Sequence, residues 1–468
     1  VTVIIATQSL APPNTAADGA VAVSTIDSTA LVEIAGDASL TITSALELAA
    51  TNAVISHASA VPVAAAFGAS VGVSVVTATT TATIGGNADI GTGSLELSAT
   101  TSTDVAVTAA AAAGGATDPA PDSEAAGFLD QYGENASTDE GGVSVVGALA
   151  VSDLTSTTLA QLVSTVELMS TGSVSVSTSS TNGAALVADG SAVESAVGVG
   201  VAVGINIARI QNDAIVAQAV TATGLSVSAG MNGADAINIF SNSATSGAGA
   251  TDVGVAGSFS VNIIDTQASA TLTAGAQVNL GGGSLTLTAD NSTEVSGEAL
   301  PSGDGATGGS VGVGASVALN IVANRAVAEV ADGAAIDDVE DVTLAAAGAF
   351  SVSGEASAGS AGGISITPSL ALSLINNTAT ARLGTGSTLE ADGAVSLTAI
   401  QQSSVTTKAS GKAAGANVAI GAAIAIAVID DVVLSTTARS IDAGGDVTFV
   451  AMGASFSELT AEASAVGA

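Results

Sequence analysis

The feature that most constrains this chain is a repeated pair of sequence patterns. The first pattern is a run of alternating small and large residues, such as VGVGVAVGINIA or VGVGASVALNIVAN, and it occurs eight times. Each copy is followed by a shorter run such as SLTLTA or DVTLAA. Two kinds of strand alternating at a fixed interval indicate one supersecondary unit repeated many times. We predict a single continuous β-repeat array over residues 1–468, with units starting near residues 21, 71, 143, 197, 253, 311, 364 and 418.

The length of the unit follows from aligned positions. Asn206, Asn262 and Asn320 occupy the same place in successive units, and the two intervals between them are nearly equal. If successive units stack in register, these asparagines would form a ladder of side-chain amides, which is a structural role. The aligned interval from Ser74 to Ala150 is clearly longer than the others. This excess indicates one insertion in the second unit.

The fold class predicted by these patterns is all-β. The repeated segments are rich in Val, Ile and Thr, alternate with a period of two, and are punctuated by Gly, Asn and Asp. We expect a repetitive β-solenoid (β-helix) of about eight units of 50–58 residues. The alternative is a stacked array of antiparallel β-hairpins, because Asn and Asp residues such as Asn324, Asn376 and Asp430 suggest a turn after each first strand. The solenoid is favoured because the repeat is long and needs its sheet edges closed.

The first pattern has two unlike faces. In the unit near residue 311, Val313, Val317 and Leu319 lie on one side of the strand. Gly314 and Ala318 lie on the other side, which we call the smooth face because it carries mainly Gly, Ala and Ser. Large residues are expected on the core face. The smooth face is then predicted either to pack against another layer of the same molecule or to dock laterally onto another copy.

Composition argues against several function classes. The chain has 6 Lys and Arg against 42 Asp and Glu, for a formal net charge of −36, so nucleic-acid binding is not expected. The longest apolar run, residues 418–429, is too short to span a bilayer, so no membrane insertion is expected. The chain has no Cys, and the acid nearest to its one His, His57, lies outside the strand that holds it, so His57 has no triad or zinc set to join. We do not expect this chain to be an enzyme or to hold a cofactor, although its acidic turns could bind adventitious Ca²⁺.

Residues 114–142 form an acidic insertion that differs from the rest of the array. This stretch holds the one Tyr of the chain and an adjacent Phe and Leu. Long excursions from repeat arrays gather on one face, which often binds partners. Phe128, Asp130, Tyr132 and Glu134 therefore form a candidate binding loop, and the simpler interpretation is a disordered, solvated loop.

Units of the form VGxSVAxN, a turn, AxAxV and then GxVTLxA resemble the giant repetitive surface and secreted proteins of bacteria, the adhesins of filamentous-haemagglutinin type. The resemblance covers most of the chain and is one of pattern and composition. It implies a β-helical stalk or filament outside the bacterial cell, in adhesion, biofilm matrix or sheath formation. The chain begins VTVIIATQ, without Met and inside a predicted strand, so we interpret it as a piece of a longer protein.

The partners expected from this interpretation are other copies of the chain or other components of the cell surface and matrix. The first function hypothesis is a structural region that acts as a stalk or filament, or assembles with itself. The alternative is an adhesive module that recognises glycan or protein through residues 114–142.

Overall fold

The structure is a computed structural model that describes residues 1–8, 17–62, 67–113, 143–231, 233 and 236–467. In this part of the chain all regular secondary structure is β-strand, which confirms the predicted all-β class. The described residues include no helix long and apolar enough to cross a membrane. The strands are β1 (Thr2–Gln8), β2 (Ala17–Ile34), β3 (Ser39–Thr41), β4 (Ala45–Val61), β5 (Phe67–Ile84), β6 (Asp89–Thr92), β7 (Ser94–Ala113), β8 (Val143–Leu162), β9 (Leu168–Ser170), β10 (Val174–Val216), β11 (Ala219–Thr221), β12 (Leu225–Gly230), β13 (Asn238–Leu272), β14 (Gln277–Val330), β15 (Ala335–Leu383), β16 (Leu389–Ala391), β17 (Val395–Thr437), β18 (Ile441–Ala443) and β19 (Val447–Gly467).

Every unit contributes a long first segment, a short second segment and a long third segment. In the unit that begins near residue 253, these are residues 253–272, 277–279 and 285–307. Some strands run through from one unit to the next, so that β14 holds the second and third segments of this unit and the first segment of the following one. Each unit is therefore one circuit of the chain through three segments. The next unit begins beside the start of the unit before it.

Each segment pairs with the same segment of the next unit. Val253 pairs with Val311, and Val311 pairs in turn with Ile364. All pairings among the described strands are parallel. The alternative of an antiparallel hairpin array is wrong, because a hairpin pairs neighbouring strands in opposite directions.

The register at the insertion differs slightly from the alignment made on the sequence. Ser74 pairs with Ser152 and not with Ala150. Corresponding positions in the first segments of the second and third units are therefore further apart along the chain than the sequence alignment predicts. The opening residue of the third unit, Val143, pairs forward with Val197.

The turns lie further along the chain than the sequence predicts. Asn324, Asn376 and Asp430 were expected to mark corners, yet they lie inside β14, β15 and β17. The chain turns instead at residues 331–334, where the Ala334 N–H donates to the Ala331 carbonyl oxygen at 3.3 Å. Gly333 in this turn has a φ of 84°, a conformation that favours glycine.

Stacked turns supply a matched pair of glycines for a stability test. Gly36 and Gly86 have nearly equal φ values, 69° and 68°, so alanine at either position costs about 1 kcal/mol of backbone strain. A Cβ at Gly86 would also lie 2.7 Å from the Gly36 nitrogen, whereas a Cβ at Gly36 meets nothing within 4 Å among the described residues. We expect Gly86→Ala to lower the melting temperature more than Gly36→Ala in thermal unfolding followed by circular dichroism. Equal melting temperatures would contradict the close stacking of these turns.

The interior of each unit tapers from a wide edge to a narrow edge. At the wide edge the end of the first segment, the second segment and the start of the third enclose large aliphatic side chains, including Leu272, Leu280 and Leu285. Toward the narrow edge, where the start of the first segment faces the end of the third, the core is made of alanines such as Ala299 and Ala318. The two long segments therefore converge.

The convergence leaves space only for the smallest side chains. A Cβ built on Gly200 would lie 2.1 Å from the Gly247 carbonyl oxygen, and one on Gly314 would lie 2.2 Å from the Gly359 carbonyl oxygen. Real Cβ atoms do not approach a backbone oxygen so closely. Glycine at these places allows two backbones of the same molecule to come into contact.

The face assignment made from the sequence is wrong. Ala318 is buried, and a Cβ at Gly314 would point into the third segment. Val313 and Leu319 lie on the outer side and are only half-buried. Because the segments converge at the narrow edge, the small residues of this stretch form the core there and its large residues face outward. The smooth face thus packs within the molecule and is not a lateral docking face.

Candidate functional site

The outer side of the first segments is a continuous apolar surface. We call it the aliphatic face and define it as the outward side chains at residues 197–207 and at the positions paired with them in the other units. None of the residues that define it in four of these units is fully buried. In those units it comprises Val197, Val199, Val201, Val203, Ile205 and Ile207; Val311, Val313, Ala315, Val317, Leu319 and Ile321; Ile364, Ile366, Pro368, Leu370, Leu372 and Leu374; and Val418, Ile420, Ala422, Ile424, Ile426 and Val428.

Parallel in-register pairing explains this surface. Each aliphatic side chain stacks on its counterpart in the units before and after it, as Val261 does on Ile205 and Leu319. Stacking covers the sides of these residues and leaves their ends in contact with solvent. Ile263 is 41% exposed and Ile321 is 38% exposed, although both lie in the middle of the array.

The outer side of the third segments is polar by contrast. In the unit that begins near residue 253, outward positions carry Thr286, Thr288, Ser292, Glu294 and Glu298. Ser, Thr and acidic residues at alternate positions are typical of a solvated sheet face. The long face made by the third segments is therefore mostly polar and more acidic than basic, with exposed aliphatic exceptions such as Val187 and Ile239 and with Lys408 and Lys412 as basic ones.

Ion pairs border the aliphatic face on the side of the wide edge. An Arg209 Nη1 atom lies 3.0 Å from an Asp153 carboxylate oxygen, and an Arg325 Nη2 atom lies 3.0 Å from an Asp265 carboxylate oxygen. Each pair joins two consecutive units. A shallow groove beside Arg209 and Asp265 is lined by isoleucines of the aliphatic face, such as Ile263. Because the pairs are substantially exposed, we assign them to positioning and charge balance rather than to stability.

Arg382 makes a third bridge between units. Its guanidinium donates to Glu329 and, at 2.7 Å, to Asp332. The hydrogen bond to Glu329 is the main reason why the pKa of Arg382 is raised. Asp332 also accepts a hydrogen bond from the Thr385 backbone N–H at 2.7 Å, which holds the pKa of its carboxyl below the ordinary value.

Asp213 gives the array a pH dependence. Burial raises the pKa of the Asp213 carboxyl, and a hydrogen bond from the Gln267 amide at 3.1 Å opposes that shift only in part. Because the folded-state pKa lies above the unfolded one, the folded state holds its proton more tightly. This group therefore lowers stability at neutral pH, and the penalty disappears as the pH falls through the raised pKa.

We expect Asp213→Asn to raise the melting temperature at neutral pH and to flatten its rise on mild acidification. The asparagine keeps a hydrogen-bonding group beside Gln267 but carries no charge to desolvate. Asp304→Asn is the matched control, because Asp304 is exposed and its replacement removes the same charge. Melting curves that shift equally with pH in both variants would show that burial of Asp213 has no such effect.

The three predicted ladder asparagines lie between the first and third segments. Asn206, Asn262 and Asn320 are fully buried and pair in register in successive units. Asn262 donates to the Asn320 side-chain oxygen at 2.8 Å. The buried Asn206 amide has no hydrogen-bond partner among the described residues. Among these three asparagines a direct amide-to-amide hydrogen bond therefore joins only Asn262 and Asn320. All three side chains belong to the interior.

A longer polar ladder lies four residues further along the same strands. Thr266 donates to Asn324 at 2.8 Å, Asn324 to Asn377 at 2.7 Å, and Asn377 to Asp431 at 2.9 Å. Sequence reasoning missed it because these residues were taken for turn residues. The signal was present, since Asn324 and Asn377 continue the inward alternation of the strands that contain them.

The candidate binding loop belongs to the acidic insertion, residues 114–142. Phe128, Asp130, Tyr132 and Glu134 lie outside the described residues, as does the whole of 114–142. The strands on either side are described: β7 ends the third segment of the second unit, and β8 begins the first segment of the third unit. The two described strand ends that flank the insertion, Ala113 and Val143, thus belong to consecutive units and lie at the narrow edge.

Other reactive side chains are scattered. The His57 Nε2 atom lies 3.6 Å from an Asp104 carboxylate oxygen, and both residues are on the outer side of third segments. The part of the chain that the structure describes contains no group of three or more His, Asp or Glu side chains placed to hold a metal ion. No protein-family model, no curated protein and no solved structure matches this chain.

Proposed function

We propose that this chain is a β-solenoid region of an extracellular bacterial protein, with a structural role as a stalk, a filament or a self-assembling element of the cell surface or matrix. The observation that carries this proposal is the unit-to-unit register. First, second and third segments each pair with their counterparts in the next unit, so that the array advances by about 4.8 Å per unit. Such an array repeats one cross-section in every unit and lengthens as units are added, which is suited to a structural role.

Composition is compatible with an extracellular setting. The chain has no Cys, carries a formal net charge of −36 and has only 6 basic residues. A long stack with a continuous core does not need disulfides for stability. The resemblance to the repetitive surface proteins of bacteria points to the same setting, and we propose adhesion or biofilm as the process.

A second candidate function is an adhesive module that recognises glycan or protein through residues 114–142. It is favoured by the contrast between connections at the narrow edge. The second and third units are joined by the whole insertion, which runs between Ala113 and Val143, whereas Ala192 and Val197 lie on one uninterrupted strand. A long connection at one place on a regular edge is suited to contact with a partner.

Small-angle X-ray scattering with circular dichroism tests the solenoid. We expect negligible helix and a particle about 38 Å along the stacking axis, from eight units at about 4.8 Å each. A helix content above about 15% would contradict the proposal. Attachment and biofilm assays distinguish the two functions when the cells carry a form of this protein from which residues 114–142 are deleted. A structural region keeps its activity after this deletion, and an adhesive module loses it.

A further inference from the structure

We propose that the aliphatic face is the surface through which two copies of this chain associate side by side, each covering the aliphatic face of the other. This inference rests on the structural role proposed above and names the partner and the surface. It differs from lateral docking through the smooth face, one of the two alternatives given by the sequence, because the smooth face is buried within each molecule.

The aliphatic face has the composition of an interface. In the unit that begins near residue 197, all six of its positions are Val or Ile. Elsewhere in the described units the positions are filled by apolar residues, Gly, Ala and one Pro, with Thr25 and Asp153 as the exceptions. Contiguous exposed apolar surface of this extent is rare on monomeric proteins and marks an interaction site.

The area is sufficient for a stable dimer. Six units at about 4.8 Å each and six alternate positions at about 6.7 Å give a surface on the order of 1,000 Å². A specific protein–protein interface of standard size buries about 800 Å² on each partner. A sheet-on-sheet contact across the aliphatic face meets that requirement without a further surface.

Charge selects a second copy as the partner. With a formal net charge of −36, two molecules repel each other over most of their surfaces. Within the described part of the aliphatic face the one ionisable residue is Asp153, and Arg209 pairs with it at 3.0 Å. Two acidic copies can therefore approach here with the least repulsion, whereas a cationic partner would be drawn to the polar outer face of the third segments.

The shape of the aliphatic face also matches itself. Its ridges repeat every unit, so a second copy presents ridges and grooves of the same spacing. Two flat sheets pack face to face about 10 Å apart, with their side chains interdigitated. A two-fold arrangement places the same residues on both sides and closes the assembly at two copies.

Analytical ultracentrifugation of the full chain tests this proposal. We expect concentration-dependent dimers that become more stable as salt screens the acidic charge. The face variant carries Val261→Glu, Leu319→Glu and Leu372→Glu, three stacked positions on the aliphatic face. We expect it to weaken dimerisation by about 100-fold or more.

Two further variants make the result interpretable. Ser296→Glu, Ser353→Glu and Thr406→Glu place the same three charges in the same stacked arrangement on the opposite outer face, and we expect no effect on dimerisation. Replacing the three aliphatic residues of the face variant by Thr removes apolar contacts without adding charge. It should also weaken dimerisation, and circular dichroism verifies that each variant folds.

Several outcomes would overturn the proposal. They are a wild-type chain that stays monomeric at all concentrations and salt levels, association that the face variants leave unchanged, and equal weakening by both triple-Glu variants. Binding of a monomeric wild-type chain to phosphatidylcholine vesicles, lost in the face variant, would assign the surface to lipid instead. A monomer whose X-ray scattering still has the dimensions of the stacked array would contradict the dimer proposal alone. A helical circular dichroism spectrum would contradict the solenoid proposal.

Discussion

Gly314→Glu is expected to destabilise the fold by about 4 kcal/mol or more. Even a Cβ at this position would lie 2.2 Å from the Gly359 carbonyl oxygen. A glutamate would have to separate the first and third segments and would bury a carboxylate without a partner. Thermal unfolding followed by circular dichroism measures the loss.

Ala315→Glu is the matched control for this prediction. Ala315 is the next residue along the strand, and it lies on the outer side and is half-buried. In the monomer the same side chain can reach solvent there, so at protein concentrations too low for association through the aliphatic face we expect a loss within about 1 kcal/mol. Similar melting temperatures for the two variants would show that the small residues do not form the interior.

Asn377→Leu is expected to cost about 2 to 4 kcal/mol, because it breaks the longer polar ladder from within. The Asn377 side chain is fully buried, accepts from Asn324 at 2.7 Å and donates to Asp431 at 2.9 Å. Leucine would leave the Asn324 amide without its acceptor in a site that water does not reach. An unsatisfied buried polar group is more costly than the mean worth of one hydrogen bond.

The neighbouring Asn376 provides the control for the ladder. It is exposed on the outer side of the same strand, so Asn376→Leu removes no buried hydrogen bond. Melting temperatures of the two variants, measured by circular dichroism under the same conditions, should differ by several degrees. If Asn376→Leu were as costly as Asn377→Leu, the ladder would have no special role.

Strand content and repetition could be predicted from the sequence because both depend on local patterns. Alternation with a period of two specifies a strand, and equal spacing of like residues specifies like units. Spacing also brought Asn262 and Asn320 into one column, and the structure places them 2.8 Å apart, nitrogen to oxygen. These features need no knowledge of how the segments pack across the interior.

Which side of a strand faces the core depends on that packing, and the prediction of the core-facing side from the sequence was wrong. It placed large residues inside, which holds where two layers are separated by ordinary side chains. Toward the narrow edge of this fold the backbones are in contact, so small residues face inward there. The corrective signal lay past Asn324: Arg325 and Glu329 share the side of Val313 and Leu319, and charged residues mark the solvent side. The sequence interpretation ended the strand at Asn324, so the alternation was not followed as far as these charged residues.

Parallel pairing of each unit with the next has a consequence for how the chain folds. Most strand contacts join residues one unit apart in the sequence, so the entropy lost in closing each loop is nearly the same for every unit. Adding units then lengthens the molecule without adding more distant contacts, and the edge of a finished unit serves as template for the next. We therefore expect formation of the first pair of units to limit the rate of folding, and growth to proceed from there one unit at a time along the chain.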